Sequence, residues 1–492
     1  MQVGSLIRRA ALQFKDAPCL VEDGRVVSFR EFDALTDRLG NALLAAGLAP
    51  GDRVGVLLPN GIDCLLAYYA LAKSGLVRVS LNTRETARNH AYKLADSGSR
   101  AVFCGEHEEV PAGLAFRFGP AELAALTRDG STVPCAVDRG LDEPYRLGYT
   151  GGTTGEPKAV TLTLRGETAE LSAFLTDLMP GLQQGDTFLH AAPIAHASGA
   201  FFLPALVRGV RSLVMKKFDP ASFIGLAERE QASSTFLVPT MLAMVLEEPS
   251  LADAKLALGR IAYGASPIAP SLLSRAEARF GRVFAQTYGQ AESPMVITCL
   301  KPEDHDRIGS CGRPFTTVEV AVFDDDDQPL PAGGVGEIVC RGTQLMSHYW
   351  GRPEATAKAF RNGWLHTGDV GRMDEDGFFY ILDRKNDMLI SGGYNVYPRE
   401  VEDVLAAYEG VIEAAVVGLP DEKWGDRIHA VVTAREGLDT QLLLAFAAER
   451  LANFKRPKAI EVWPELPKSG ANKILRREVR DTLVARMKEQ GQ

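Results

Sequence analysis

Between Arg53 and Cys104 the chain switches repeatedly between strand-like and helical periodicity, and this alternation limits the possible folds more than any other stretch. Residues 53–58 read as a strand, the segment through Tyr68 to Ser74 as helical, 76–81 as a strand, 86–96 as a helix and 101–104 as a strand. Strands separated by helices need crossover connections, so this part is a substantially parallel sheet covered by helices. Ahead of it, Asp23-Gly24 between short apolar runs marks a hairpin turn. Ser28-Phe29-Arg30-Glu31 is a capping box, followed by Phe32, Leu35, Leu39, Ala42, Leu43 and Ala46 at helical spacing, with Gly47 as a stop. At 492 residues the chain exceeds one hydrophobic core and has room for roughly three domains or subdomains of about 150 residues.

Composition removes several functional classes. Hydrophobic residues at 46% and charged residues at 24% are those of a globular protein and do not suggest disorder. A net charge of −9, with 54 basic residues spread along the chain, argues against a nucleic-acid surface, so small anionic substrates must meet local positive potential. The seven cysteines are scattered, odd in number and lack a C-x-x-C pair, which points to free thiols in a reducing cytoplasm. The longest apolar run, 65–72, is too short to span a membrane, and no signal core precedes it. The eight histidines form no His-x-x-x-His pair, and the run Asp324 to Asp327, followed by Pro329, Pro331 and Gly333-Gly334, reads as a solvated turn.

After this layer comes Tyr149-Thr150-Gly151-Gly152-Thr153-Thr154-Gly155-Glu156-Pro157-Lys158. Glycines at 151, 152 and 155 let backbone N–H groups turn inward around an anion, and the threonine hydroxyls with the Lys158 ammonium add donors. Glu156-Pro157 separates the last glycine from the lysine, so this is not a Walker A loop. The segment resembles the signature loop of the adenylate-forming superfamily, which includes acyl-CoA synthetases, luciferases and the adenylation domains of peptide synthetases. It departs from the usual pattern at Gly151, where serine is common, and at Ala159, where glycine is common.

Further segments in order strengthen the resemblance and extend it over nearly the whole chain. Ala191-Ala192-Pro193-Ile194-Ala195-His196-Ala197-Ser198-Gly199 is similar to the family's histidine segment at the acyl pocket, which implies His196, Ala197 and nearby Phe201 as substrate-pocket residues. Gly264-Ala265-Ser266 ends a strand in a turn of small residues, where backbone can lie against both an acyl chain and a purine. An apolar helix is expected over 235–246. In Tyr288-Gly289-Gln290-Ala291-Glu292 the resemblance implies that Tyr288 stacks on adenine and Glu292 binds the Mg²⁺ carried by ATP, while Gly289 and Ala291 border nucleotide and acid. Ala291 stands where a threonine is usual. Asp369 in Trp364-Leu365-His366-Thr367-Gly368-Asp369 suits a ribose diol, because an ionised carboxylate has two acceptor oxygens; Arg384 would contact the same ribose.

The stretch from Asp383 through Tyr394 resembles the family's domain junction. Asn386 falls at the hinge, dividing a large domain, 1–385, from a mobile small domain, 386–492, and Gly392-Gly393 would line the coenzyme A channel. Beyond it, helices over 399–407 and 440–452 and strands over 413–418, 427–434 and 459–463 predict a compact α+β domain. Lys473 in Ser469-Gly470-Ala471-Asn472-Lys473 matches the family's mobile catalytic lysine, with Asn472 replacing glycine.

The expectation is therefore an α/β enzyme with a small lid domain that joins a carboxylic acid to coenzyme A through an acyl-adenylate, using ATP and Mg²⁺. Thr150, His196, Glu292 and Lys473 are the expected catalytic residues, and the Thr150 loop, Lys158, Gly264 to Ser266, Tyr288 to Ala291, Asp369, Arg384 and Lys473 the nucleotide contacts. A cytoplasmic monomer or homodimer acting on small molecules, without nucleic acid or a membrane span, fits this reading. The rivals are transfer of the acyl group to a carrier protein, luciferase-type oxidation, and a nucleotide-binding regulator without turnover. Ala195-His196-Ala197 carries no aspartate for an amino group, which disfavours amino acids. Small residues near His196 and Gly264, with Phe201 and Phe202 close by, favour a medium-chain or aromatic acid.

Overall fold

The computed structural model describes residues 2–489 apart from 107, 109, 112, 151–155, 386, 422–423 and 469–473. Among the described residues the strands gather into four sheets, of nine, seven, five and five strands. The sequence signals at the start of the chain act as expected. Asp23 and Gly24, at φ 46° and 83°, turn the strand Pro18–Glu22 back onto Arg25–Ser28. Ser28 and Glu31 exchange both capping-box hydrogen bonds and open the helix Phe29–Ala45.

The expected parallel strands Arg53–Leu57, Val77–Ser80 and Ala101–Cys104 lie side by side in the seven-stranded sheet. This sheet continues through Pro144–Tyr149, then turns antiparallel at Ala159–Thr163 and His348–Tyr349. The helix between the first two strands runs Ile62–Lys73, starting earlier than its periodicity suggested. It is apolar on nearly every side because it is buried on nearly every side, so it has no single wet face to give a periodic signal. No helix among the described residues is long and apolar enough to cross a membrane.

In the nine-stranded sheet, Pro18–Glu22, Arg211–Val214, Thr187–His190, Ser234–Leu237, Arg260–Gly264 and Phe284–Tyr288 are neighbours in that order and parallel. The expected helix over 235–246 is corrected here: Ser234–Leu237 is a strand, and the helix is Pro239–Glu247 with its proline at the first turn. Thr235 and Phe236 are β-formers fully enclosed between neighbours, and a short buried strand cannot be told from a buried helix by its apolar run. A third sheet, antiparallel, contains Val318–Phe323, Val335–Gly342, Trp364–Met373 and Phe379–Arg384.

The small domain carries the fourth sheet. Along Val411–Asp421, Val416 packs toward Val401, Leu405 and Leu443, whereas Ala415 and Val417 pack toward Val479 and Leu483. Successive side chains of a strand point to opposite faces, so both faces of this sheet need a helical cover. The second cover is the helix Arg476–Glu489, which the sequence reading did not include among the small domain's elements. All seven cysteines are free and buried, as expected.

Candidate active site

The motif residues converge because several parallel strands end at the same edge of the nine-stranded sheet, where α/β proteins bind ligands. Thr187–His190 leads into the His196 loop, Arg260–Gly264 into Ala265-Ser266, and Phe284–Tyr288 into Gly289-Gln290. Gly264 lies beside Thr287, where a Cβ would sit 2.4 Å from the Thr287 carbonyl oxygen. Gly289 is pinned in the same way by the Met295 backbone at 2.5 Å. Both glycines therefore serve close packing of the protein on itself. Ala265 at φ 69° and Met295 at φ 57° are left-handed without being glycine, at a cost of about 1–2 kcal/mol each.

His196 is exposed in its turn, with its N–H donating to the Pro193 carbonyl at 3.1 Å. Beneath it is a residue the sequence reading missed. His190 is fully buried, its Nδ1 3.1 Å from both Ser198 O and Ser198 Oγ and its Nε2 3.2 Å from Ser212 Oγ. Burial pushes its pKa down to about 4, so the neutral ring ties the loop to the sheet. Ala197, Ala200, Tyr288, Ala291 and Met295 are half-buried against one and the same core. Phe201 forms part of that core, 5.0 Å from both Phe174 and Phe188, whereas Phe202 turns into the neighbouring core against Phe32 and Tyr69.

Asp369 is 4% exposed, and its two oxygens already hold three donors. Oδ1 is ion-paired with Arg384 Nε at 2.8 Å, and Oδ2 accepts from Tyr288 Oη at 2.5 Å and Gln290 Nε2 at 2.7 Å. Asp369 and Arg384 face each other across antiparallel strands. Burial, and then the Asp369 charge, push the Tyr288 hydroxyl well up, so it stays a donor. Gln290, expected only as a nucleotide contact, thus also holds Asp369.

The phosphate loop connects Pro144–Tyr149 to Ala159–Thr163, and its ends are closed by Thr150 N–H donating to the Lys158 carbonyl at 3.1 Å. Gly151, Gly152, Thr153, Thr154 and Gly155 lie outside the described residues. Tyr149 Oη donates to the Lys93 carbonyl at 2.9 Å and to Asp96 Oδ2 at 3.0 Å, anchoring the loop's entry. At its exit the Lys158 ammonium lies 4.8 Å from the centre of the Tyr349 ring. The Tyr349 hydroxyl donates to Glu292 Oε1 at 2.6 Å. Nothing in the sequence around Tyr349 signalled this, because the contact joins residues 57 positions apart.

Comparison with known proteins gives the family. The family model described as AMP-binding enzyme matches residues 7–350, and that of the AMP-binding enzyme C-terminal domain matches 400–473. The chain belongs to the AMP-binding enzyme family. Among its relatives, a feruloyl-CoA synthase of an Amycolatopsis species is 38% identical over 97% of this chain and 98% of its own. A medium/long-chain-fatty-acid–CoA ligase of Mycobacterium tuberculosis is 36% identical over 97% of this chain and 89% of its own. ATP-bound MatB from Rhodopseudomonas palustris superposes with a TM-score of 0.90 at 28% identity, covering 98% of this chain and 99% of that one.

In this member of the AMP-binding enzymes the two domains meet around Asp383. Its Oδ2 accepts from Arg399 N–H at 2.7 Å, at the start of the helix Pro398–Ala406, and its Oδ1 from Arg476 Nη1 at 2.8 Å. Arg476 also reaches Asp387 Oδ2 at 3.1 Å and grips Glu402 with Nε and Nη2 at 2.8 and 2.5 Å. Asn386 and Lys473 lie outside the described residues. The segment carrying Lys473 is closed by an antiparallel bridge between Lys468 and Ile474, and Lys468 Nζ pairs with Glu413 at 2.7 Å. Gly392 and Gly393, at φ 60° and 84°, form the exposed turn of a hairpin, and a Cβ on Gly392 would come within 3.1 Å of the Trp424 ring.

Proposed function

We propose that this chain condenses a medium-chain or aromatic carboxylic acid with coenzyme A at one site used twice. As a member of its family it is an AMP-forming acid–CoA ligase that works with ATP, Mg²⁺ and coenzyme A. The observation that carries the site assignment is the Asp369 cluster, which brings Tyr288 and Gln290 from one motif and Arg384 from another onto one buried carboxylate. A carboxylate has about four lone-pair positions, so a ribose diol takes the remaining one and displaces one protein donor. The phosphates then extend toward Thr150, Lys158 and the loop between them.

The donors fit Mg²⁺ that arrives with ATP. Among the described residues no group of three or more His, Cys, Asp or Glu side chains could hold a resident metal. Mg²⁺ keeps several waters and binds through one or two carboxylates plus phosphates, which suits the single half-buried Glu292. When bound it supplies charge neutralisation as pyrophosphate departs. The acid lies over Ala197, Ala200 and Ala291, beside the His196 loop, where three short side chains leave width for a chain or a ring. Its carboxylate attacks the α-phosphorus, and Lys473 meets the charge that develops on the departing pyrophosphate.

The second step needs Lys473 out of the way, because the coenzyme A sulfur must reach the acyl carbon while AMP leaves. Rotation of the small domain about Asn386 accomplishes this, and Gly392-Gly393 then lines the pantetheine path. Superposition of the whole chain on the ATP-bound relative supports an adenylating arrangement of the domains here. Fatty and hydroxycinnamic acids of graded length, scored for pyrophosphate release and for thioester formation, test the proposal. Release restricted to acetate, or to no acid, would overturn the substrate reading. Lys473→Ala is expected to lose acid-dependent pyrophosphate release at least about 100-fold while still converting supplied acyl-AMP to thioester; equal loss of both steps would remove Lys473 from the role given it.

A further inference from the structure

Tyr349 touches both residues to which the proposed function gives the triphosphate and its metal. It lies in the two-residue strand His348–Tyr349, paired with the strand Ala159–Thr163 that follows the phosphate loop. Its N–H donates to Thr356 Oγ1 at 3.0 Å, the next N–H, of Trp350, donates to the Ala159 carbonyl at 2.8 Å, and the residue is 7% exposed. Main-chain pairing therefore fixes the place from which the ring projects. One end of that side chain serves an anion, through the hydroxyl on Glu292 at 2.6 Å; its face serves a cation, through Lys158 at 4.8 Å from the ring centre. Glu292 is held from behind as well, its carbonyl accepting from Met346 N–H at 2.8 Å.

We propose that Tyr349 is a positioning residue for adenylation, holding the Glu292 carboxylate and the Lys158 ammonium at fixed places around the triphosphate. The inference rests on the reading of Glu292 as the Mg²⁺ carboxylate and Lys158 as a phosphate contact. A neutral hydroxyl on one oxygen fixes the carboxylate's orientation while leaving its negative charge and other lone pairs for a cation. A ring face attracts an ammonium without neutralising it. Two opposite charges are thus kept on a shared neutral contact instead of on each other, and both remain available to MgATP.

Tyr349→Phe keeps the ring and removes the hydroxyl; Tyr349→Leu removes both. Each is compared with the unaltered protein in three measurements: the Mg²⁺ concentration for half-maximal pyrophosphate release, the KM for ATP at saturating Mg²⁺, and Mn²⁺ affinity by electron paramagnetic resonance with a non-hydrolysable ATP analogue bound. For the phenylalanine variant we expect Mg²⁺ demand and Mn²⁺ Kd to rise about 5- to 10-fold with KM for ATP within about twofold. The leucine variant adds a rise in KM for ATP of similar size. Wild-type metal dependence in Tyr349→Phe overturns the proposal, as does a loss of rate with metal and nucleotide affinities intact, which marks a role in the fold alone. Glu292→Gln separates the layers. If it leaves Mn²⁺ affinity intact, the metal reading of Glu292 falls and the inference with it; if it weakens Mn²⁺ while Tyr349→Phe does not, the positioning role alone falls.

Discussion

Two half-buried arginines, one in each domain, hold carboxylates in nearly the same way yet do different work. Arg146 is 18% exposed in its side chain and binds Glu167 at 2.9 Å and Glu170 at 2.7 Å. Both glutamates stand on the helix Leu164–Ala173, one turn apart, so the cluster closes within one rigid unit. Arg476 is 22% exposed and binds Asp383, Asp387 and Glu402. Its partners lie on both sides of residue 386. The proposed rotation of the small domain would leave every Arg146 contact intact, whereas it would strain or break the bond from Arg476 to Asp383. A cluster contained in one domain contributes to stability alone; one that spans a junction also biases the arrangement of the domains.

Removing the contained arginine is expected to have the largest effect on stability. Arg146→Met leaves the buried Glu170 and the half-buried Glu167 without a cation and is expected to cost about 3–5 kcal/mol in unfolding free energy. In protein that folds, pyrophosphate release and thioester formation from supplied acyl-AMP are expected to keep their wild-type ratio. A changed ratio, measured at a temperature where the variant is folded, would break the distinction between the two clusters.

Arg476→Met is expected to cost less, about 2–3 kcal/mol, because Asp387 is partly solvated and can be satisfied by water. Here the ratio of the two half-reactions is the informative quantity. It is expected to shift toward thioester formation by about 3- to 10-fold, since the bond lost favours the present arrangement. Asp383→Asn keeps the shape and removes the charge, and is expected to shift the ratio the same way by a smaller factor. Equal loss of both half-reactions in both variants would make the junction cluster a purely structural one.

The smallest effect concerns pH. Burial, opposed by Arg146 and reinforced by Glu167, pushes Glu170 up to about 7. Its Oε1 has no hydrogen-bond partner. A carboxyl whose pKa is raised on folding stabilises the folded state below its unfolded pKa of about 4.3, and that contribution is lost as pH rises through the folded value. Glu170→Gln is therefore expected to match wild type near pH 5 and to exceed it near pH 8, by about 1–3 °C in melting temperature. A variant less stable than wild type at pH 8 would show that the charged pair with Arg146 outweighs the burial of Glu170.

What could be read without coordinates was local. The capping box of Ser28 and Glu31, the Asp23-Gly24 turn and the strands at Arg53, Val77 and Ala101 involve neighbours within a few positions or one repeated pattern, and all formed as expected. The helices Pro398–Ala406 and Thr440–Arg450 were legible for the same reason. The strand at Thr235 was not, because complete burial erases the difference between helical and strand patterning. The helix Arg476–Glu489 was hidden by its charge: Val479 and Leu483, one turn apart, are its buried apolar contacts with the sheet.

The sequence by itself determined the family and the list of motif residues, because a loop such as 149–158 encodes its chemistry in consecutive side chains. Tertiary structure alone decided how those motifs serve one another. Tyr288 reaches Asp369 across 81 positions, Arg476 reaches Asp383 across 93, and Tyr349 reaches Glu292 across 57. Each contact depends on two elements being brought together by a core that neither motif contains, so no local pattern carries it.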